Sequence, residues 1–259
     1  MAGTRATQRG KVWLVGAGPG NPELLTVRAY RLLQSASVVA YDELVSSEIL
    51  SIAPASAERI PVGRRASGNR YHDARIHPDV IGRALLGKDV IRLKGGDPLI
   101  FGRGGEEAEE LARVGIAFEF VPGVTAALAA AAAMNIALTH RDCASRVTLT
   151  TGHAAGESAS LIRGIDPEGT LVFYMALGRV EETCEGLVAN GRSPGTAAAV
   201  VSRASMPDAR VVTGTLGNLG ALVRQAALEP PAILIVGNVV GRRVTSPLPD
   251  DVGERIAAR

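Results

Sequence analysis

The sequence predicts an α/β fold with two α/β domains and a largely parallel sheet. Short apolar strand signals alternate with helical periodicities along the chain, which is the pattern of parallel strands joined by helices. The 259 residues suffice for two domains, and the 46% of hydrophobic residues supply a large core. We expect an N-terminal domain at 11–122 and a C-terminal domain at 123–243, with flexible ends at 1–10 and 244–259.

The first half of the chain contains four strand signals. The predicted elements are a strand at 12–15, a helix at 22–33, strands at 37–41 and 89–93, a helix at 80–86 and a strand at 118–121. Glycine and proline mark the breaks: Gly16-Ala-Gly-Pro-Gly20 ends the first strand, and Pro122-Gly123 ends the last one. The basic segment 63–75 has no periodicity and is predicted to be a mobile loop.

The second half begins with an alanine-rich helix at 125–134, whose small side chains allow close approach of a neighbouring element, as at a domain seam. A second α/β unit follows. Its predicted strands are 147–151, 170–174, 197–202 and 232–236, and its predicted helices are 180–190 and 216–227.

The amino-acid composition limits which kinds of molecule the protein is expected to bind. Aromatic residues make up only 3%, which argues against the stacking surfaces of nucleic-acid-binding proteins. The net charge is +2, and 25 of the 28 basic residues are Arg. That bias fits either a biased genome or bidentate capture of carboxylates. Cys143 and Cys184 have neither metal-ligand spacing nor a disulfide framework.

No targeting or membrane segment is predicted. Residues 1–9 are polar and basic and lack the apolar centre of a signal peptide. The most apolar run, 124–138, is shorter than the roughly 20 residues of a membrane span. We therefore expect a cytoplasmic protein that binds neither membrane nor nucleic acid.

The loop at 94–107 is the strongest candidate for a binding site. It follows a strand signal and holds five glycines, so that backbone is exposed where α/β proteins bind ligands. Asp97, Arg103 and the pair Glu106-Glu107 add specific polar groups. A plain turn needs fewer glycines and no charges between them.

Two neighbouring features allow more than one interpretation. The turn Gly16-x-Gly-x-Gly20 resembles a dinucleotide fingerprint, but its third glycine comes one residue early and Pro19 and Pro22 stiffen the helix start. A turn beside another ligand is favoured over a nicotinamide site. Asp42, at the end of a strand, is equally a helix N-cap or a carboxylate that accepts a proton.

The histidines do not predict a metal site. His72 and His77 lack tight ligand spacing, and no Cys or carboxylate pattern completes a set. The clusters Thr139–Asp142 and Thr151–His153 flank one strand. A satisfied histidine explains each cluster alone, and a shared cleft explains both.

Together these segments resemble the tetrapyrrole methylases over residues 11–243. The matching motifs are Val15-Gly-Ala-Gly-Pro-Gly20, Tyr41-Asp42, Arg92-Leu-Lys-Gly-Gly-Asp-Pro98, Phe101-Gly-Arg-Gly-Gly-Glu-Glu107, Val121-Pro-Gly-Val-Thr-Ala126, Leu138-Thr-His-Arg-Asp142, residues 147–153, Phe173-Tyr-Met175 and residues 231–237. Because the match fills the chain, we expect no fused dehydrogenase or ferrochelatase segment. The resemblance implies two α/β domains with a ligand cleft between them, in a homodimer.

The resemblance also implies S-adenosylmethionine as cofactor, with S-adenosylhomocysteine as its product. The implied cofactor-binding residues are Pro19, Gly95, Gly96, Asp97, Ile100, Thr125, Ala126, Met175, Ala204 and Ala232. Glycine and alanine permit the close backbone approach that such a ligand needs.

The implied reaction methylates uroporphyrinogen III at C2 and C7, giving precorrin-2 through precorrin-1 for sirohaem, cobalamin or haem d1 synthesis. A related precorrin methyltransferase is the nearest alternative, and a nicotinamide-dependent oxidoreductase is a remoter one. By resemblance Asp42 is the base and Arg103 is the second catalytic residue. The implied substrate-binding residues are Arg64, Glu106, Arg141 and His153.

Three positions depart from the family pattern. Many members have Lys at the place of Arg64, and since Arg is a poor acid we assign Arg64 to carboxylate binding. Some members have Arg at the place of Glu43, and the stretch after His72 is shorter than usual. These departures concern the substrate contacts rather than the class of reaction.

Overall fold

The computed structural model describes residues 9–63, 76–152 and 168–244. Arg64, His153 and the predicted loop beyond Gly63 up to residue 75 lie outside these ranges. The described residues form two compact units, one running to Ala129 and including Ala204–Pro207, the other comprising Ala130–Arg203 and the residues from Asp208 onward. No helix within the described ranges is long and apolar enough to cross a membrane.

The first unit is built on a five-stranded sheet in which every pairing is parallel. Its strands are β1 (Val12–Gly16), β2 (Val38–Tyr41), β3 (Glu58–Pro61), β4 (Val90–Lys94) and β5 (Phe118–Val121), in the order β3-β2-β4-β1-β5. The helices along this part of the chain are α1 (Val27–Gln34), α2 (Ser47–Leu50), α3 (Pro78–Leu85), α4 (Gly104–Arg113) and α5 (Ala126–Ala133).

Alternation along the strands divides the core of this unit into two layers. Val15, Val39 and Leu93 pack with α1 and α2 on one face of the sheet. Leu14 and Ala40 pack with α3 and α4 on the other. Both faces are covered, as expected of a parallel sheet. Because all five strands run in the same direction, the loops that follow their carboxyl ends lie along one side of the sheet, called here its carboxyl edge.

The second unit has a mixed sheet. Its strands are β6 (Val147–Thr151), β7 (Thr170–Tyr174), β8 (Ala197–Ser202), β9 (Arg210–Thr215) and β10 (Ala232–Val236), in the order β6-β7-β10-β8-β9. Only the β6–β7 pairing is parallel. One face packs against α6 (Val180–Ala189) and α7 (Leu219–Ala226) through a core that includes Phe173, Val200 and Leu234.

The α/β fold class is confirmed, and the bounds of β5, β6, β7, β8 and β10 are those predicted. The expectation of a largely parallel sheet is wrong for the second unit, where three of the four pairings are antiparallel. β3, β9 and the short α2 were not predicted. The helix predicted at 22–33 is instead a 3-10 turn, Pro22–Leu24, followed by α1.

Candidate active site at the carboxyl edge of the parallel sheet

Three loops from neighbouring strands cross at this edge in direct backbone contact. Gly18 and Gly96 exchange two hydrogen bonds, with N···O distances of 3.1 and 2.7 Å. A Cβ on Gly16 would lie 2.6 Å from the Cα and N of Gly123 and 2.7 Å from the Gly96 carbonyl oxygen. Only glycine fits at positions 16 and 123, because a Cβ on either residue would overlap the backbone of a neighbouring loop.

Asp97 joins two of these loops through its carboxylate. Its Oδ1 accepts a hydrogen bond from the Leu99 N–H at 2.8 Å, and its Oδ2 accepts one from the Gly123 N–H at 3.0 Å. Beside it, Gly96 has a φ of 68° and open space, since among the described residues only Ala126 N, at 3.9 Å, lies within 4 Å of a Cβ placed there. A bare backbone with room in front of it suits a ligand that is bound through main-chain groups.

Most of the predicted cofactor residues belong to the first unit. They are Pro19, Gly95, Gly96, Asp97, Ile100, Thr125, Ala126 and Ala204. All except Ala204 lie on the loops that follow β1, β4 and β5 or at the start of α5.

Met175 and Ala232 lie in the second unit. Met175 directly follows β7, and Ala232 opens β10. The antiparallel register pairs Tyr174 with Ile233, so Met175 and Ala232 lie at the same end of these two paired strands. Met175 is 54% exposed and has a φ of 55°, an unfavourable conformation for a residue with a Cβ.

Asp42 lies at the end of β2 and is held by a buried group of charges. Arg92 Nη2 donates to Asp42 Oδ1 at 2.6 Å and to Glu107 Oε1 at 2.9 Å. Lys94 Nζ donates to Glu107 Oε1 at 2.7 Å and lies 3.8 Å from Asp42 Oδ2. Arg92, Lys94 and Glu107 are buried, whereas the Asp42 side chain is 29% exposed. Asp42 is therefore the member of the group that solvent and ligands can reach.

Burial shapes the titration of the two cations. It is the largest cause lowering the pKa of Lys94, and the neighbouring Arg92 charge lowers it further against the opposing carboxylates. Burial also lowers the pKa of Arg92, but the carboxylates of Glu107 and Asp42 outweigh this effect, so the pKa of Arg92 is raised. Arg92 thus stays charged, and Lys94 is the cation that loses its proton more readily.

Arg103 and Glu106 lie at the start of α4. Their side chains are 50% and 48% exposed, with Arg103 Nε 3.6 Å from Glu106 Oε1. Phe101 and Arg103 have φ values of 53° and 59°, so two non-glycine residues of this short loop are left-handed. Strain of this kind is common where a loop must present particular side chains, and here it precedes the exposed Arg103–Glu106 pair.

Of the remaining predicted substrate residues, the structure describes Arg141 alone, and it belongs to the second unit. Arg141 is exposed in the turn after α5, and the adjacent His140 accepts a hydrogen bond from the Asp142 N–H through Nδ1 at 3.2 Å. The Nδ1 atom of His140 is thus engaged within its own turn. Arg64 and His153 fall outside the described residues.

Sequence reasoning placed Lys94 and Glu107 in the binding loop at 94–107 but did not recognise that they form a buried charge cluster with Arg92 and Asp42. Arg92 and Lys94 alternate with apolar residues in Val-Ile-Arg-Leu-Lys, and this strand is central in its sheet. Two charges on one face of a fully buried strand need carboxylate partners. That spacing of two was the available signal for a buried charge cluster.

The structure also bears on the helix-cap interpretation of Asp42 and on the nicotinamide interpretation of the first glycine turn. The N-cap of α2 is Ser46, whose side chain accepts from the Ile49 N–H, so Asp42 does not cap the following helix. The first glycine turn leads into a 3-10 turn, and α1 begins only at Val27. A dinucleotide fingerprint opens its helix directly after the glycines, so the nicotinamide alternative loses its structural basis.

Within the three described ranges, no three His, Cys, Asp or Glu side chains are grouped as a metal site requires.

Residues 11–220 match the model of the family described as Tetrapyrrole (Corrin/Porphyrin) Methylases. A siroheme synthase of Gluconacetobacter diazotrophicus is 46% identical over 246 residues, covering 93% of this chain and 52% of that protein. The chain spans about half the length of the curated relatives it matches.

Two solved structures are similar to nearly the whole chain. A uroporphyrin-III C-methyl transferase from Thermus thermophilus, complexed with S-adenyl homocysteine, is 40% identical with a TM-score of 0.76, covering 90% of this chain and 100% of that one. A cobalt precorrin-4 methyltransferase is 28% identical with a TM-score of 0.80, covering 93% of this chain and 99% of that one.

Proposed function

The chain belongs to the tetrapyrrole methylase family, and from that premise we propose that it methylates uroporphyrinogen III at C2 and C7, giving precorrin-2 by way of precorrin-1. The observation that carries the proposal is the place of Asp42. Its backbone N–H donates to Leu93 O at 3.2 Å, and its carboxylate pairs with Arg92. A reachable carboxylate is thus fixed to the strand that leads into the glycine loop.

The residues present fit S-adenosylmethionine. The open backbone at Gly96 and the small side chains at Thr125 and Ala126 suit a ligand that approaches the main chain closely. We assign the remaining cofactor contacts to Pro19, Gly95, Asp97, Ile100, Met175, Ala204 and Ala232. When bound, S-adenosylmethionine supplies an electrophilic methyl group for an electron-rich pyrrole carbon.

The chain's own part in the chemistry is to remove a proton and to orient the substrate. We assign Asp42 as the base that takes the proton lost from the methylated tetrapyrrole, since it is the exposed carboxylate of the cluster. Holding the carboxylate by ion pairs sets its direction before the substrate arrives, and orientation of this kind lowers the barrier.

The substrate carries eight carboxylates, and Arg matches a carboxylate with two parallel N–H donors. Arg103 is half exposed at the start of α4, where it is free to turn from Glu106 to a substrate carboxylate. We assign Glu106, Arg141, Arg64 and His153 to the same substrate.

The nearest alternative is methylation of a later precorrin. The cobalt precorrin-4 methyltransferase has the higher TM-score of the two solved structures, 0.80 against 0.76. The sequence identity runs the other way, 28% against 40%, and favours uroporphyrinogen III. The shared fold does not choose the substrate, because function depends on the site rather than on the architecture.

Binding and turnover separate these functions. We expect S-adenosylhomocysteine to raise the thermal unfolding temperature and NAD to leave it unchanged. Under anaerobic conditions with S-adenosylmethionine, uroporphyrinogen III should gain methyl groups faster than a later precorrin does. Stabilisation by NAD alone would support the oxidoreductase, and preference for the later precorrin would support the alternative methylase.

The proposal extends to the setting of the enzyme. We propose a cytoplasmic homodimer that supplies precorrin-2 for sirohaem, cobalamin or haem d1 synthesis. Light scattering coupled to size-exclusion chromatography tests the dimer, and a monomer at micromolar concentration would contradict it.

A further inference from the structure

The buried charge cluster beside Asp42 contains a carboxylate to which the proposed reaction gives no role. Glu107 lies in the first turn of α4 and is 4% exposed, whereas the adjacent Glu106 is exposed. Successive residues of a helix point about 100° apart, so one glutamate faces the sheet and the other faces solvent. The pair therefore divides into an outer and an inner carboxylate.

Glu107 acts on the two cations through a single oxygen. Its Oε1 accepts from Arg92 Nε at 3.3 Å, from Arg92 Nη2 at 2.9 Å and from Lys94 Nζ at 2.7 Å. On its other side, Arg92 Nη1 donates to the Leu93 carbonyl at 3.2 Å. The guanidinium is held at both ends, and Nη2 is the nitrogen that reaches Asp42.

The cluster is also balanced in charge. It pairs two cations, Arg92 and Lys94, with two carboxylates, Asp42 and Glu107. Loss of the Glu107 charge would leave two buried cations facing Asp42 alone. A buried cation without its counter-ion rearranges or becomes hydrated, and either response moves Asp42, the carboxylate that remains.

We propose that Glu107 is a positioning residue, which fixes the direction of the Asp42 carboxylate through Arg92 and balances Lys94. The inference rests on the proposed function, because it needs Asp42 to be the base. Glu107 itself is buried, so we expect it to make no contact with the substrate. Its effect should therefore appear in turnover rather than in the binding of either ligand.

The first test compares Glu107→Gln with Glu109→Gln, which removes an exposed charge from the same helix. The amide keeps the shape of the side chain and an oxygen acceptor but removes the charge. We expect kcat of Glu107→Gln to fall by about 100-fold, the loss typical of a misplaced reacting group. KM and the affinity for S-adenosylhomocysteine should stay within about two-fold of wild type, and Glu109→Gln should match wild type throughout.

The second test restores the charge balance without restoring Glu107. In the double variant Glu107→Gln/Lys94→Met, Arg92 and Asp42 remain as one ion pair. We expect its kcat to lie between those of Glu107→Gln and wild type. The numbers of cations and carboxylates are equal again, but Arg92 still lacks its ion pair with Glu107. This variant also serves as the test if Glu107→Gln does not fold.

The outcomes separate this inference from the proposed function. A wild-type enzyme that adds no methyl group to uroporphyrinogen III overturns both. With an active wild type, near-wild-type kcat in Glu107→Gln or in the double variant overturns the positioning role alone. Where both variants fold, a double variant no faster than Glu107→Gln overturns the charge balance.

Discussion

Substitution of Gly16 by alanine should open the loop crossing at which we propose that the cofactor binds. The new Cβ would lie 2.6 Å from the Cα and N of Gly123 and 2.7 Å from the Gly96 carbonyl oxygen. Carbon contacts are ordinarily about 3.5–4.0 Å long, so the loops must separate by about 1 Å. All three neighbours are backbone atoms, and no side chain can rotate away to relieve the contact.

The size of the effect follows from this displacement. Overpacking of this kind costs about 1–3 kcal/mol, which lowers the thermal midpoint of a chain this long by roughly 2–12 °C. Where ligand binding needs the closed crossing, the same energy lowers the affinity for S-adenosylhomocysteine by about 5- to 160-fold. Calorimetric titration and thermal unfolding of the purified variant measure both quantities.

Gly82 provides the matched control. It lies inside α3, and a Cβ there would meet nothing within 4 Å. Gly82→Ala should gain about 0.5–1 kcal/mol of stability from helix propensity and leave ligand affinity unchanged. The reasoning is refuted if Gly16→Ala binds S-adenosylhomocysteine as tightly as Gly82→Ala does.

Three further outcomes are expected. Asp42→Asn should retain S-adenosylhomocysteine binding while kcat falls by about 10²–10⁴, the usual contribution of a general base, and wild-type turnover would remove Asp42 from that role. Arg103→Ala should retain cofactor binding and lower kcat/KM for uroporphyrinogen III by roughly 10- to 100-fold, as loss of one charged hydrogen bond implies; an unchanged kcat/KM would place Arg103 outside the substrate site. Burial raises the pKa of the Cys184 thiol from 9.0 to about 11, so the folded state holds this proton where the unfolded state releases it. This difference contributes about 2–3 kcal/mol to the free energy of unfolding, fully below pH 9, and the contribution is lost as the pH rises to about 11. Urea titrations of the wild type should show this loss of stability at alkaline pH. Cys143→Ala should show the same loss, and Cys184→Ala should not.

Strands with a run of β-branched or apolar residues were predicted well from sequence alone, and these include the half-buried edge strands β5 and β6. β7, β8 and β10 are continuous apolar runs in the interior of the second sheet, and their bounds agree with the prediction. β9 is an edge strand that is exposed or half-exposed along its length, and it begins with Arg210, so it carries little hydrophobic signal. β3 is likewise an edge strand and ends in proline.

The candidate site was predicted where one loop carries it and missed where distant segments meet. The glycine loop and Asp42 are visible in the sequence because glycine and an acid follow strand signals. The ion pair between Asp42 and Arg92 joins residues 50 positions apart. It forms because β2 lies beside β4 in the sheet, an order that local patterns do not encode. Arg92, Lys94 and Glu107 therefore needed the fold before their role could be recognised.

The proposed methylation is tested by anaerobic incubation of the enzyme with uroporphyrinogen III and S-adenosylmethionine carrying an isotopically labelled methyl group. Mass spectrometry should show first one and then two labelled methyl groups on the tetrapyrrole, and NMR should place them at C2 and C7. S-adenosylhomocysteine should accumulate in proportion. A tetrapyrrole that gains no label, or that carries the label at other carbons, would rule out the proposed methylation at C2 and C7.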